Sequence, residues 1–548
     1  MLADARYAIT SSVKAHESDL ISEAVHAAIQ LGSWLNQTND PEAEAIAKFL
    51  ATAFERLDWP ASARKLAGTA LGTQIGRHTS EGSAAWATRT LEEFSAELTI
   101  HEECQMLGHA CATPEDLMRR FEELLSAYER FSIELSDNYG DDQAGATFRR
   151  AQLFDIIAPS LVVLMGIGRC KEIIELVAAW FGVSAEHRRR SPVLVMAPGY
   201  EKGMLFAVDD HGELLERDTD ASLKAMINAI NTAYDKSIVL RSDRELPPAT
   251  TGRPPRRIHR DELAKAASEF YSLDALGEFL EKAPTMPTGC FHLHAEHTPF
   301  QPLTETTLGI TWPLITSFEE PQPDRPLKKV LLLSCGTILG APEVRSVAAF
   351  FSAKGTDCVV VADKEISREE FLGFYCDETF DAIWLAGHGE YDSREPHRAH
   401  IKLSADGKQI VTVSELLKHT APDLGRRLLF LNICLGGSTL VTAAPACLGM
   451  GAMLANRNQA VVAHLTEVGT FAAPLFGVLM AIGLIESDEF FTAFRFAVRK
   501  LPSDHDHALE LIRSKAPECG EITERLSRNS PDIEQGDIRT WGTPVFFE

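Results

Sequence analysis

Two short stretches set a reactive side chain at the end of an apolar run and follow it with glycine. "DAIWLAGHGEYD" (381–392) carries His388 and Gly389, and "LLFLNICLGG" (428–437) carries Cys434 with Gly436 two residues on. Both runs read as buried strands. In an open parallel sheet, ligands bind outside the carboxyl ends of the strands. Neighbouring strands lie ~4.8 Å apart, so an imidazole and a thiol at adjacent strand ends can meet. Spacing alone leaves open whether these two strands are neighbours. A free thiol of pKa ~8.5 is only a few per cent thiolate at neutral pH. A nearby imidazole can take its proton or hold the thiolate as an ion pair, and a helix starting after Cys434 pushes the same way. The glycines let the backbone turn sharply and let a peptide come close. The amides of Gly389 and Cys434 could then face an oxyanion. Together these are a minimal set for acyl transfer by a cysteine. The plainer reading is a hydrogen-bonded structural histidine and a core cysteine.

The elements that must position these residues follow from the pattern. From 328 onward, strand-like runs at 328–335, 357–363, 381–387, 427–433 and 459–465 alternate with helical stretches. Continuous apolar strands alternating with helices predict a mostly parallel sheet covered by helices on both faces. Residues 1–188 are helical in pattern throughout, with apolar residues at three-and-four spacing and short breaks such as "NQTNDPE". A degenerate, TPR-like helical-repeat array and a plain bundle both fit, the period being loose at about forty residues. At "RRRSPVLVMAPG" the period turns strand-like, and "GMLFAVDDHGELLER" reads as a hairpin. The expected organisation is a helical domain (1–188), a middle α/β segment (189–325) and an α/β half carrying the chemistry (326–548).

Composition narrows the class. The chain has 548 residues, 45% of them hydrophobic and 24% charged, with a formal net charge of −25. That is a globular composition. The negative balance argues against direct nucleic-acid or anionic-membrane binding, which want a basic face. The N-terminal "MLADARYAIT" lacks the order of a signal peptide, and "FAAPLFGVLMAIGLI" (471–485) is too short to span a bilayer. Ten cysteines without paired spacing read as reduced thiols, so a cytoplasmic protein is expected.

Other clusters carry weaker signals. His292, His294 and His297 in "FHLHAEH" could hold a metal but lack an obvious fourth ligand. His101, Cys104, His109 and Cys111 match no common zinc spacing and read as helix core. Cys447 reads as packing. "HRRRS" (187–191) and "GRPPRRIHR" (252–260) could bind acidic patches, but more often such runs are solvated linkers; only if Glu467 selects basic residues do they become sites where the chain could cut itself.

"FDAIWLAGHGEYD…P", then "LLFLNICLGGS", then "LGMGAMLANRNQAVVAHLTEVG" resemble the CHAT family of caspase-like peptidases, relatives of separase and the caspases. The upstream "TGCFHLHAEHTPFQPL" and the closing "WGTPVFFE" are similar to the family's flanking segments, so the resemblance covers about 190–548. It implies an α/β caspase-like sandwich, a His388/Cys434 dyad and an oxyanion hole from the Gly389 and Cys434 amides. It also implies a degenerate half beside a catalytic one. Ile433 stands where many relatives have Ala, and Thr466 where a tryptophan is common. Glu467 falls near the place of an acidic residue that contacts a basic side chain before the scissile bond in separase-like members; a solvated loop glutamate is the alternative. The function implied is a cysteine endopeptidase needing no metal or organic cofactor. It would cut a protein substrate after activation by a protein partner, in prokaryotic antiviral defence. The alternative is a non-catalytic caspase-like scaffold whose helical domain binds partners.

Overall fold

A computed structural model describes residues 42–57, 82–198, 204–208, 214–217, 273–283, 285–292, 299–337, 339–362, 365–391, 395–404, 406–419, 421, 423–438, 448–501, 505–528 and 541–548. In chain order its strands are β1 (Val193–Pro198), β2 (Met204–Val208), β3 (Leu214–Arg217), β4 (Gly289–His292), β5 (Lys329–Ser334), β6 (Asp357–Val361), β7 (Ala382–Glu390), β8 (His400–Lys402), β9 (Ile410–Thr412), β10 (Arg427–Ile433), β11 (Gln459–His464) and β12 (Pro544–Phe547).

The five continuous apolar runs after residue 328 became β5, β6, β7, β10 and β11. They lie in the order β12-β11-β10-β7-β5-β6, parallel throughout except β12, which runs antiparallel to β11. β10 and β11 are buried along their whole length, as strands covered on both faces must be. β6 ends the path on one side, and Val360 on it is exposed. A second sheet, β3-β2-β1-β4, is joined to the first through Leu314, which bridges Cys290 of β4 and Phe547 of β12. The protein is therefore α/β with a mostly parallel sheet.

One face of the large sheet is covered by the helices Gly340–Ala353 and Ala472–Glu486. The latter is the apolar run 471–485, buried from Ala472 to Leu484 except Ala473. Its Phe476 stacks on Phe430 of β10, which stacks on Trp384 of β7 at 3.8 Å between ring centres. No helix among the described residues is long and apolar enough to cross a membrane.

Contacts divide the chain into two compact units. The first takes the described residues up to Asp137 together with Leu153–Ile167 and Glu175–Ala185. It is helical, with Trp180 stacked on Phe131 and edge-on to Tyr128. Its helix Ile100–Ala110 starts at a capping box between Thr99 and Glu102. The second takes Asn138–Gln152, Gly168–Ile174 and Glu186–Glu548. Two pieces of the helical sequence thus belong with the sheets. Within that unit, Phe148 stacks on His397 and Ser414 Oγ donates to Asp142 Oδ1. The segments 189–325 and 326–548 lie in this same unit.

Candidate active site

β7 and β10 are neighbours. Their parallel register runs to Asn432↔Ala386 and Ile433↔Gly387, so the next residue of each chain is Cys434 and His388. Partners in a ladder share a face, and alternate residues return to it. The ladder stops at Ile433↔Gly387; continued by one residue into the turn, it would set Cys434 and His388 beside each other at the carboxyl edge. His388 is exposed and Cys434 half-buried.

β10 ends there in a tight turn, residues 434–437. Leu435 adopts φ 60°, the left-handed region that a branched side chain rarely enters. The turn is tied down on two sides. The Leu435 N–H donates to the Thr466 carbonyl at 3.2 Å and the Gly437 N–H to that of His464 at 2.8 Å. The Gly436 carbonyl accepts from the Gly451 N–H at 2.8 Å. A Cβ on Gly389 would stand 2.7 Å from the Cys434 carbonyl oxygen and 2.8 Å from Ile433 Cδ1. Ile433 therefore fits before the cysteine because Gly389 and Gly436 carry nothing where its branches lie.

The thiol faces the segment after β11. Cys434 Sγ lies 4.0 Å from the Val468 carbonyl oxygen. Burial pushes the Cys434 thiol up, and the Glu467 carboxylate pushes the same way. The thiol is thus neutral at pH 7 in this arrangement. Among the described residues no hydrogen bond or ion pair engages the His388 ring. On its other side His388 pairs with Lys402 of β8, whose ammonium binds Glu390. Glu390 also lies 3.3 Å from His400 Nε2.

Behind the turn runs a buried polar chain. Asn432 Nδ2 donates to Glu343 Oε1 at 2.8 Å and to the Ala473 carbonyl at 3.0 Å. Trp384 Nε1 donates to the same Glu343 oxygen at 3.0 Å. Asn432 Oδ1 lies 2.7 Å from His464 Nε2, and His464 Nδ1 lies 2.9 Å from Thr543 Oγ1. Burial pushes the Glu343 carboxyl up to about 7 and His464 down to about 3. Gly477 makes room, since a Cβ there would meet Glu343 Oε1 at 2.5 Å.

No protein-family model matches the chain, and no curated protein matches it.

The remaining sequence candidates are dispersed. His292 is buried, edge-on to Phe300, while His294 and His297 lie outside the described residues. No group of three potential ligands is close enough to hold a metal among the described residues. Cys104 and Cys111 are core, and burial pushes Cys111 up to about 11. Cys447 and residues 252–260 lie outside the described residues. "HRRRS" is no solvated linker. Arg188 and Arg189 are buried, Arg189 Nη2 lies 2.6 Å from Glu548 Oε1, and the Arg190 and Ser191 amides donate to Glu320. Arg190 itself stays exposed. Glu343, His464 and Thr543 escaped the sequence reading. Asn432, polar within an apolar run, was the one visible sign that a buried partner must exist.

Proposed function

We propose that this chain is a cysteine endopeptidase of the CHAT type, a caspase-like fold, acting on a protein substrate in the cytosol as an effector of prokaryotic defence. The observation that supports the reading is the β7–β10 register, whose last pair, Ile433↔Gly387, immediately precedes Cys434 and His388. His388 takes the thiol proton. Cys434 Sγ attacks the scissile carbonyl carbon, and the Gly389 and Cys434 amides receive the oxyanion. The amine leaves with the proton from His388, and a water deprotonated by His388 hydrolyses the thioester and restores the thiol. Glu467, against the thiol, favours a basic side chain before the cut through a charge-assisted hydrogen bond.

The neutral thiol facing Val468, with no bond to His388, fits a resting state. Activation by a protein partner through the helical unit would then turn the thiol towards the imidazole. The same observation also favours a second reading, a non-catalytic scaffold. A thiol-reactive peptide probe separates them. The peptidase reading expects labelling that is lost in Cys434→Ala and weakened in His388→Ala. Labelling indifferent to both substitutions would leave the scaffold. Capture of new protein N-termini, wild type against Cys434→Ala, then names the substrate.

A further inference from the structure

The hydrogen bonds behind the turn all point one way. His464 is neutral. Its Nε2 faces the amide oxygen of Asn432, which only accepts, so Nε2 carries the proton and Nδ1 accepts from the Thr543 hydroxyl. Asn432 then donates onward to Glu343, as does Trp384. The carboxyl is the sink of a chain that crosses from the residue before β12 through β11 and β10.

Asn432 also holds the Ala473 carbonyl in the first turn of the helix Ala472–Glu486. That helix follows the segment carrying Glu467 and Val468, which touches the thiol. One amide, two residues before Cys434, therefore ties the strand end to the wall that faces the sulfur. Glu343, Ala473 and His464 hold its orientation together.

We propose that Glu343 is a positioning residue: ionised, it fixes the Asn432 amide and so the placement of the Cys434 turn against the Glu467–Val468 wall. Bonds to a carboxylate are roughly twice as strong as neutral ones. A protonated Glu343 still offers Oε1 to Asn432 and Trp384, but the two bonds lose the charge that strengthens them. From β7 the carboxyl faces the Trp384 indole, from β10 Asn432, and from the helix Ala472–Glu486 the Gly477 backbone. The other titratable groups packed on its helix are bonded elsewhere: Glu521 pairs with Arg345, and Cys519 donates to the Ser346 carbonyl. Burial holds Glu343 at about 7, so the change falls near neutral pH. The inference rests on Cys434 being the reacting thiol of the proposed peptidase.

The test is the pH dependence of Cys434 alkylation by iodoacetamide, read by mass spectrometry on the full-length chain. Glu343→Gln keeps the accepting oxygen and cannot ionise. Both forms are compared in a His388→Ala background, which removes the imidazole's own titration. With Glu343 present, the rate relative to a free thiol should step by about fivefold through neutral pH. With Glu343→Gln the step should vanish. A step that persists in Glu343→Gln, or none with Glu343 intact, overturns the proposal. Should Glu343→Gln fail to fold, hydrogen exchange at the Gly437 amide of the wild type decides. Protection that changes through neutral pH supports the brace, and flat protection overturns it. Failure of the peptidase reading looks different: no peptide is cut and His388→Ala leaves the alkylation profile of the otherwise wild-type chain unchanged, whatever Glu343 does.

Discussion

Gly389 and the carbonyl of Cys434 are in such close contact that a methyl group on the glycine would stand 2.7 Å from that oxygen. Gly389 lies in β7 and Cys434 directly follows β10, its parallel neighbour, so neither can retreat far without disturbing the ladder. Gly389→Ala should therefore cost about 1–3 kcal/mol, the usual range for overpacking. It should also slow labelling of Cys434 by about tenfold, since the strain falls on the residue that carries the thiol. Gly373→Ala is the control. A Cβ there meets nothing within 4 Å, and in the helix Arg368–Tyr375 alanine should be neutral or stabilising by up to ~1 kcal/mol. Urea denaturation and probe labelling read both variants.

Glu467 acts on two readouts with opposite signs. Its carboxylate raises the Cys434 thiol, so Glu467→Gln should speed alkylation at neutral pH, by about two- to threefold. If the same carboxylate receives a basic side chain, the substitution should slow cleavage after Arg by about tenfold or more. Alkylation rates and peptide cleavage, measured side by side, separate the two effects. Loss of cleavage without faster alkylation would mean that Glu467 does not reach the thiol.

The parallel strands were legible because each is an unbroken apolar run bounded by a turn. The strand ends carrying His388 and Cys434 were legible for the same reason. Their adjacency was not, because strand order depends on which faces pack together and leaves no trace in spacing. β8 and β9 went unseen. They are three residues each, and "HIK" and "IVT" are too short to show a period. Glu343 was hidden differently. It lies in the first turn of the helix Gly340–Ala353, where a carboxylate ordinarily faces water and favours the helix dipole. Only the packing of Trp384, Asn432 and Gly477 around it turns a routine helix-start glutamate into a buried group. The arginines of 187–191 mislead for the converse reason: their charge suggests solvent, but Arg189 finds Glu548 from the far end of the chain, and Glu320 accepts from the Arg190 and Ser191 amides.

Burial gives Glu343 a signature in stability. Its carboxyl titrates at about 7 in the folded chain against an ordinary 4.5. Below the ordinary value it is protonated in both folded and unfolded chains and costs nothing. As pH rises towards 7 the unfolded chain ionises while the folded one holds its proton, so stability falls. The loss should total on the order of 3 kcal/mol. Glu343→Gln lacks this dependence. The difference in unfolding free energy between Glu343→Gln and wild type should drift in favour of glutamine from about pH 4.5 to 7 and then level off. Denaturant titrations at acid, neutral and mildly alkaline pH check it. A constant difference would mean that the carboxyl is hydrated.

A second buried cluster supports the sheet rather than the chemistry. Arg426 Nε lies 2.5 Å from Asp324 Oδ1, and its Nη1 lies 2.8 Å from Glu548 Oε2. Glu548 also binds Arg189 at 2.6 Å, and Asp324 accepts the Phe490 amide. All four side chains are nearly inaccessible. Removing one charge strands its partners in a medium that solvates them poorly, so Arg426→Ala should cost about 3–5 kcal/mol. Arg528→Ala, which breaks an exposed pair with Glu524 one helical turn away, should cost less than ~0.5 kcal/mol. Because Arg426 precedes β10 and Glu548 follows β12, loss of Arg426 should also loosen β12. Amide exchange in Val545 and Phe547 should then accelerate more than in β5. Equal costs for the two arginines would mean that water reaches the Arg426 cluster.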